Sequence, residues 1–87
     1  MISRCTHRFW KCYGELPESI RELAVKNYRL WLADPRHPSL DFKKLVGKGE
    51  RFSVRVGDHY RALGQRDGNC VEWVWIGTHE EYNKLVK

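Results

Sequence analysis

The sequence predicts an α+β fold, in which helical patterning in the first part of the chain gives way to strand patterning in the second. Apolar residues recur at helical spacing between residues 17 and 33, whereas from Phe52 they alternate with polar residues at a period of two. Near the end of the chain, Thr78 and Glu81 have the spacing of a helix-capping box. Helices that are segregated from a run of consecutive strands are typical of the α+β class.

Two helices are predicted to form a hairpin in the first part of the chain. The longer one spans residues 17–33, because Pro17 suits a first helical turn and the Asp34-Pro35 pair ends the helix. A shorter helix is predicted over residues 8–14, where a glycine closes it. Residues 2–6 are compatible with a first strand that precedes this hairpin.

Three or four antiparallel strands are predicted to follow as a meander. Residues 52–56 alternate strictly, residues 60–64 follow a Gly-Asp turn, and residues 71–76 are apolar on both faces, which indicates a strand covered on both sides. Residues 40–46 supply a candidate fourth strand. A short helix over residues 79–86 ends the chain, and Tyr82, Leu85 and Val86 are expected to face inward.

The four tryptophans have two interpretations, base stacking and burial in the core. Trp10 and Trp31 lie on the helical hairpin and are expected to pack there. Trp73 and Trp75 are two residues apart in the last strand, so we expect them to share one face of the sheet. Because a small domain needs large aromatic side chains for burial, we expect that face to be the core.

Length and composition restrict the class of protein. The chain has 87 residues and a mass of 10.4 kDa, which predicts one domain over residues 1–87, and its 41% apolar content excludes a disordered chain. No stretch approaches the roughly 18–20 apolar residues that span a bilayer. The N-terminus lacks the apolar run of a signal peptide. We therefore expect a cytoplasmic protein with no membrane partner.

The cysteines do not indicate a disulfide framework or a metal centre. Their number is odd, with Cys5, Cys12 and Cys70, which argues against a disulfide-stapled secreted fold. Cys5, His7 and Cys12 lack a C-x-x-C pair and a fourth ligand at a recognisable spacing. The sequence therefore predicts reduced thiols, with neither a metal nor a cofactor.

Positive charge is concentrated in the middle of the chain. Residues 36–66 contain eight basic and three acidic side chains, so their net charge of +5 equals that of the whole chain. Residues 1–35 carry +2, and residues 67–87 carry −2. Such a concentration is typical of a face that binds a polyanion, and the planar guanidinium of arginine suits phosphate. The alternative is a solvated basic surface without a partner.

One segment resembles a known family. Residues 52–63 read Phe-Ser-Val-Arg-Val-Gly-Asp-His-Tyr-Arg-Ala-Leu, and residues 43–47 read Lys-Lys-Leu-Val-Gly. This combination resembles the RelE/ParE superfamily of toxins from bacterial toxin–antitoxin systems, in which the Arg-hydrophobic-Gly to Tyr-Arg stretch spans a β-hairpin. The resemblance extends over about residues 8–86. It implies a RelE-like fold: an N-terminal helical hairpin packed on a small antiparallel sheet, with a short C-terminal helix.

The resemblance also implies a function. Superfamily members that act as mRNA interferases cleave RNA without a metal, by attack of the 2′-OH on the adjacent phosphate, and a cognate antitoxin neutralises them. We expect the same activity here, with RNA as the substrate, on the ribosome or free. The residues expected to be catalytic are Arg55, Arg61, His79 and Tyr82. Those expected to bind RNA are Lys43, Lys44 and Arg51.

The expected roles follow from side-chain chemistry, and each has an alternative. Arg55 and Arg61 are expected to project from the hairpin toward phosphate, although Arg61 also suits a salt bridge. His79 can act as an acid or a base, and Tyr82 lies one helical turn later. A partly exposed residue at the helix start and a core tyrosine are the respective alternatives.

A second function stays open on the sequence alone. Many RNA-cleaving members of the superfamily carry an arginine after the last strand, where this chain has His79. This difference favours a ParE-like toxin that binds and inhibits DNA gyrase without cleaving RNA. A third interpretation is a protein with the toxin fold that binds only nucleic acid or an antitoxin.

Overall fold

The described residues of the computed structural model, 2–45, 47 and 49–86, form a five-stranded sheet with two helices on one face and one short helix on the other. The elements in chain order are β1 (Ile2–Cys5), α1 (His7–Gly14), α2 (Glu18–Ala33), a 3₁₀ turn (Pro38–Leu40), β2 (Lys43–Lys44), β3 (Arg51–Val56), β4 (Tyr60–Asp67), β5 (Cys70–Thr78) and α3 (His79–Leu85). The predicted α+β class and element order are confirmed.

The strand order in the sheet is β1-β5-β4-β3-β2. Strands β2 to β5 form the predicted antiparallel meander, with each strand paired to the next. The first strand exists, and it pairs parallel to β5, so the sheet is mixed rather than purely antiparallel. The candidate strand at residues 40–46 is reduced to two residues, because a 3₁₀ turn takes up its beginning; Val46 lies outside the described residues.

The helical hairpin forms with nearly the predicted boundaries. The Thr6 side chain caps α1 by accepting a hydrogen bond from the backbone N–H of Phe9 at 3.1 Å. Helix α2 begins after Pro17, and the N–H of Asp34 closes it on the carbonyl of Leu30 at 2.7 Å. Proline as the residue before the helix and an acidic first turn explain where α2 starts.

Helices α1 and α2 cover one face of the sheet, which we call the helix-covered face. Trp31 of α2 lies near its centre, with ring centroids 5.1 Å from Trp73 and 6.5 Å from Phe52. The apolar core on this face consists of Phe9, Leu16, Ala24, Trp31, Leu40, Phe52, Val54, Val56, Ala62, Val71, Trp73 and Ile76. The alternation of β3 therefore orients its apolar residues toward the helices, as predicted.

The last strand contains a β-bulge that separates its two tryptophans. Leu63 pairs with Trp75 and Gly64 pairs with Trp73, so Val74 has no partner on β4. Trp73 consequently packs on the helix-covered face, whereas Trp75 packs on the opposite face. The expectation that both share one face is wrong, because the extra residue reverses the alternation. Both are buried, as predicted.

Helix α3 lies against the opposite face and begins at a complete capping box. The Thr78 hydroxyl accepts from the N–H of Glu81 at 3.1 Å, and the Glu81 carboxylate accepts from the N–H of Thr78 at 3.2 Å. Tyr82 faces inward and is 6% exposed, as expected. Leu85, the last residue of the helix, is 45% exposed instead of buried.

Candidate functional site

Three of the four residues expected to be catalytic, Arg61, His79 and Tyr82, lie around the start of α3. Arg55 on β3 pairs directly with Arg61 on β4, so the two side chains leave the same face of the sheet. His79 follows β5 directly, and Tyr82 lies one turn later on α3. We call this surface the α3 face; it is formed by Ser53, Arg55, Arg61, Leu63, Trp75, His79 and Tyr82.

Arg61 occupies the centre of a buried polar network. Its side chain is 2% exposed, and its Nε and Nη2 donate to the Ser53 hydroxyl at 3.2 and 2.8 Å. Nη2 also donates to the Asp41 carbonyl at 2.8 Å, and Nη1 to the Asp41 carboxylate at 3.1 Å. Asp41 reaches Arg61 from a left-handed backbone conformation, with φ of 43°. The expectation that Arg61 projects from the hairpin is wrong, because these acceptors turn its guanidinium inward.

Tyr82 and His79 lie above this network. The Arg61 guanidinium lies 5.2 Å from the centroid of the Tyr82 ring, and the Tyr82 hydroxyl lies 3.1 Å from the Ser53 hydroxyl. The His79 and Tyr82 rings meet edge to face at 5.8 Å, and the residue His79 is exposed. Its backbone N–H donates to the carbonyl of His59 at 2.7 Å. The site therefore combines a buried cation, a buried hydroxyl and an accessible imidazole.

Arg55 is available to an external ligand. Its Nε donates to the Gly57 carbonyl and its Nη2 to the Asp58 carboxylate, both at 3.0 Å. The side chains of Arg55 and Asp58 are 45% and 81% exposed. Ion pairs between exposed groups contribute little, about 0–1 kcal/mol. A phosphate can therefore replace Asp58 at small cost.

The residues expected to bind RNA divide between the two faces. Lys43 pairs with Ser53, and Arg51 is two residues before Ser53 on the same strand. The side chains of Lys43 and Arg51 therefore lie on the α3 face. Lys44 pairs with Phe52 and therefore points toward the helix-covered side. All three basic residues are exposed. The structure thus brings Lys43 and Arg51 to the site, and it does not bring Lys44 there.

A groove of about 350 Å³ adjoins the site. It is lined by Thr6, Arg8, Leu45, Arg51, Leu63, Val74, Trp75, Leu85 and Val86. Arg8 comes from the start of α1, so the groove has a second arginine that sequence reasoning missed. The packing of α1 against β5 brings Arg8 to the groove. In the sequence, the positive charge of Arg8 is the only feature that suggests such a role.

Asp41 and Ser53 are also functional candidates that the sequence did not reveal. Ser53 occupies a polar position of an alternating strand, a pattern that indicates solvent, yet it is fully buried. Asp41 lies in a loop twenty residues before its partner Arg61. The alternation showed which face Ser53 is on, but nothing in it showed that a helix covers that face.

The described part of the chain contains no group of three or more His, Cys, Asp or Glu side chains placed to hold a metal ion. The three cysteines are free thiols, and burial raises the pKa of the Cys5 thiol. Over the same residues, no helix is both long enough and apolar enough to cross a membrane.

The sequence of this chain matches the model of a toxin family. Residues 18–84, from α2 to α3, match the family model of the ParE-like toxin domain. The chain therefore belongs to this family, and its predicted membership in the RelE/ParE superfamily of toxins is confirmed.

Solved structures of related toxins share the fold. The RelB–RelE antitoxin–toxin complex from Methanococcus jannaschii aligns with a TM-score of 0.76 and 18% identity, over 95% of this chain and 98% of that chain. The intact RelBE complex from E. coli gives 0.68 and 22%, over 87% and 93%. A YoeB/ParE toxin from Agrobacterium tumefaciens gives 0.71 and 18%, over 91% and 99%. No match was found among curated protein sequences.

Proposed function

We propose that this protein is the toxin of a type II toxin–antitoxin system and that it acts as a metal-independent endoribonuclease on mRNA. The observation that carries the proposal is the contact of the exposed His79 imidazole with the Tyr82 ring, 5.8 Å between centroids, on the face that also exposes Arg55. RNA cleavage by the 2′-OH needs a proton acceptor and a group that stabilises charge on the phosphate. These residues supply both.

Each residue has a role that fits its position. The accessible imidazole of His79 takes the proton of the attacking 2′-OH as the 2′-oxygen bonds to phosphorus. The bond between phosphorus and the 5′-oxygen breaks, the leaving 5′-oxygen takes a proton from water, and the imidazolium returns its proton to solvent. Arg55 exchanges its exposed Asp58 partner for the phosphate, and its guanidinium stabilises the charge that develops there. Arg61 is buried beneath Tyr82, so it supports the ring from below instead of binding the phosphate directly.

The RNA strand is proposed to run along the basic margin of the α3 face. Lys43 and Arg51 lie on this face, and Arg8 and Arg51 line the adjoining groove. Cationic side chains along the path neutralise backbone phosphates, so binding should weaken as salt is raised. A substrate of mRNA, free or on the ribosome, places the protein in the cytoplasm.

A cognate antitoxin is the proposed protein partner, as the RelE relatives were solved as complexes with RelB antitoxins. An acidic antitoxin segment that folds on contact would cover the basic α3 face. A second contact is offered by an apolar groove of about 310 Å³ on the helix-covered side. Trp10 is 55% exposed and Tyr28 is 38% exposed at this groove. Apolar side chains of the antitoxin would bury both.

Gyrase inhibition is the second candidate, favoured by two observations. The matching family model is the ParE-like domain, and His79 stands where many RNA-cleaving members of the superfamily carry arginine. A gyrase inhibitor needs a binding surface but no acid or base. The two functions therefore differ in whether His79 matters for activity.

The test is cleavage of end-labelled RNA and of mRNA on translating ribosomes, with EDTA present. We expect cleavage that leaves a 2′,3′-cyclic phosphate and a 5′-hydroxyl, the products of 2′-OH attack. His79→Ala should lower the rate by about 10²-fold, the lower end of general acid–base contributions. His7→Ala is the matched control, because His7 also begins a helix directly after a threonine cap. Intact RNA and ribosomes, together with gyrase-dependent DNA breaks on expression, would instead establish the second candidate.

A further inference from the structure

We propose that His59 is a second catalytic residue, the general acid that gives a proton to the 5′-oxygen of the RNA as it leaves. This role rests on the proposed ribonuclease function, in which His79 accepts the proton of the 2′-OH and water protonates the leaving group. An imidazolium ion is a stronger acid than water, so it would speed the second half of the reaction. His59 is exposed and can therefore contact a substrate.

His59 and His79 lie directly opposite each other at the end of two neighbouring strands. Their register continues that of β4 and β5, in which Tyr60 pairs with Thr78, and the backbone N–H of His79 donates to the carbonyl of His59 at 2.7 Å. Opposite residues of an antiparallel pair have Cβ atoms about 4.5–5.5 Å apart and side chains on the same face. The two imidazoles therefore start side by side.

Both imidazoles belong to the α3 face. The His79 ring contacts the ring of Tyr82, which packs on that face. His59 precedes Arg61 by two residues, so the alternation of the backbone orients the His59 side chain to the same face as Arg61. Both histidines are exposed, and an RNA phosphate can therefore approach the two rings from solvent.

Arg55 would bring the phosphate next to His59. Its guanidinium donates to the Gly57 carbonyl and to the Asp58 carboxylate, each at 3.0 Å, and these two residues directly precede His59 in the turn between β3 and β4. A phosphate that replaces the Asp58 carboxylate is thus bound at the turn that carries His59. The attacking and leaving oxygens lie roughly in line on opposite sides of phosphorus, so two separate imidazoles suit the reaction.

The reaction moves one proton at each histidine. As the 2′-oxygen bonds to phosphorus, its proton passes to the neutral imidazole of His79. As the bond between phosphorus and the 5′-oxygen breaks, that oxygen keeps the electron pair and takes a proton from the imidazolium of His59. His59 ends neutral and His79 ends as an imidazolium, and exchange with solvent restores both. Imidazole exists in both forms near neutral pH, which the two roles require.

The test compares RNA with an analogue in which sulfur replaces the bridging 5′-oxygen at the cleaved position. A thiolate is a better leaving group and needs no general acid. His59→Gln should lower cleavage of RNA by about 10²-fold but change cleavage of the sulfur analogue by less than about twofold. His79→Ala should slow both reactions, because the 2′-OH loses its proton in both. His7→Gln, at another exposed histidine, is the matched control and should change neither rate.

The outcomes separate this inference from the ribonuclease function. All rates are measured where circular dichroism shows each variant to be folded, and His59→Ala should repeat the pattern of His59→Gln. If the wild type cleaves RNA but the His59 variants slow both substrates equally, or slow neither, His59 is not the general acid and the ribonuclease proposal stands without it. If the wild type cleaves neither substrate, the ribonuclease proposal fails, and the role of His59 fails with it.

Discussion

The two faces of the sheet are built from the same strands but differ in what they bury. On β3, Phe52, Val54 and Val56 face the helix pair and join an apolar core, whereas Ser53 and Arg55 face α3. The helix-covered face gains stability from apolar area removed from water. The α3 face instead buries an arginine, which is costly unless its donors are satisfied. The first face fixes the fold, and the second holds chemical groups in place.

Hydrogen bonds make the buried charge on the α3 face tolerable. Arg61 donates four hydrogen bonds to Ser53 and Asp41, and its guanidinium lies against the Tyr82 ring. The carboxylate of Asp41 is 44% exposed, so this ion pair keeps contact with solvent on one side. The helix-covered face buries no charge but two indole nitrogens: Trp73 Nε1 donates to the Ser3 hydroxyl at 3.1 Å, and Trp31 Nε1 has no partner among the described residues.

The largest expected effect concerns stability on the helix-covered face. Trp31→Ala should lower the free energy of unfolding by about 3–5 kcal/mol, because it removes the ring that contacts Phe52 and Trp73 and leaves a cavity. Urea unfolding measures the loss. The neighbouring Leu32→Ala, at a residue that is 53% exposed, is the control and should cost about 0.5 kcal/mol or less. A cost for Trp31→Ala below about 1 kcal/mol would mean that the helix pair is not what stabilises this face.

The structure of each face can be predicted from the sequence only where it depends on residues that are close together in the chain. The alternation of residues 52–56, the Pro17 start of α2 and the Thr78–Glu81 capping box are local patterns, and each was confirmed. The bulge at Val74 was not predictable, because a strand that is apolar on both faces looks the same with or without an extra residue. One unpaired residue was therefore enough to misplace Trp75.

The polar network illustrates the same limit more strongly. Arg61 was recognised from its hairpin motif, but its burial depends on Asp41, whose loop returns to the sheet by a left-handed residue. Nothing near residue 61 in the sequence indicates that Asp41 lies close to Arg61 in the fold. The contact of His79 with Tyr82 was predictable, because residues three apart on a helix are neighbours, and the aromatic contact confirms it.

The next effect compares two glycines, one on each face. A Cβ at Gly64 would lie 2.7 Å from the Phe52 ring on the helix-covered face, and a Cβ at Gly77 would overlap the Trp75 ring on the α3 face. Each alanine substitution should therefore cost about 1–3 kcal/mol of stability from overpacking. Only Gly77→Ala should also lower RNA cleavage, measured at a temperature where both variants are folded. The reason is that Trp75 packs with Tyr82.

Gly14→Ala serves as the control for this pair, because a Cβ there has no atom within 4 Å. It should leave both stability and cleavage nearly unchanged. Equal losses of cleavage in Gly64→Ala and Gly77→Ala would show that activity follows general stability, and the functional distinction between the faces would then be wrong.

The smallest effect compares the two threonine caps. Thr6 caps α1 and Thr78 caps α3, and each accepts a hydrogen bond from a backbone N–H three residues on, at 3.1 Å. Either alanine substitution should cost about 1 kcal/mol in urea unfolding, the usual value of such a cap. Thr78→Ala should also slow RNA cleavage, since α3 carries both His79 and Tyr82, and Thr78→Ser should restore it. Thr6→Ala should leave kcat at saturating RNA within about twofold of the wild type, a difference below about 0.5 kcal/mol, because the groove that Thr6 lines contributes to RNA binding. If the two alanine variants slow cleavage equally, the geometry of the site depends on α1 as much as on α3. The claim that the helix-covered face provides stability and the α3 face provides activity would then be wrong.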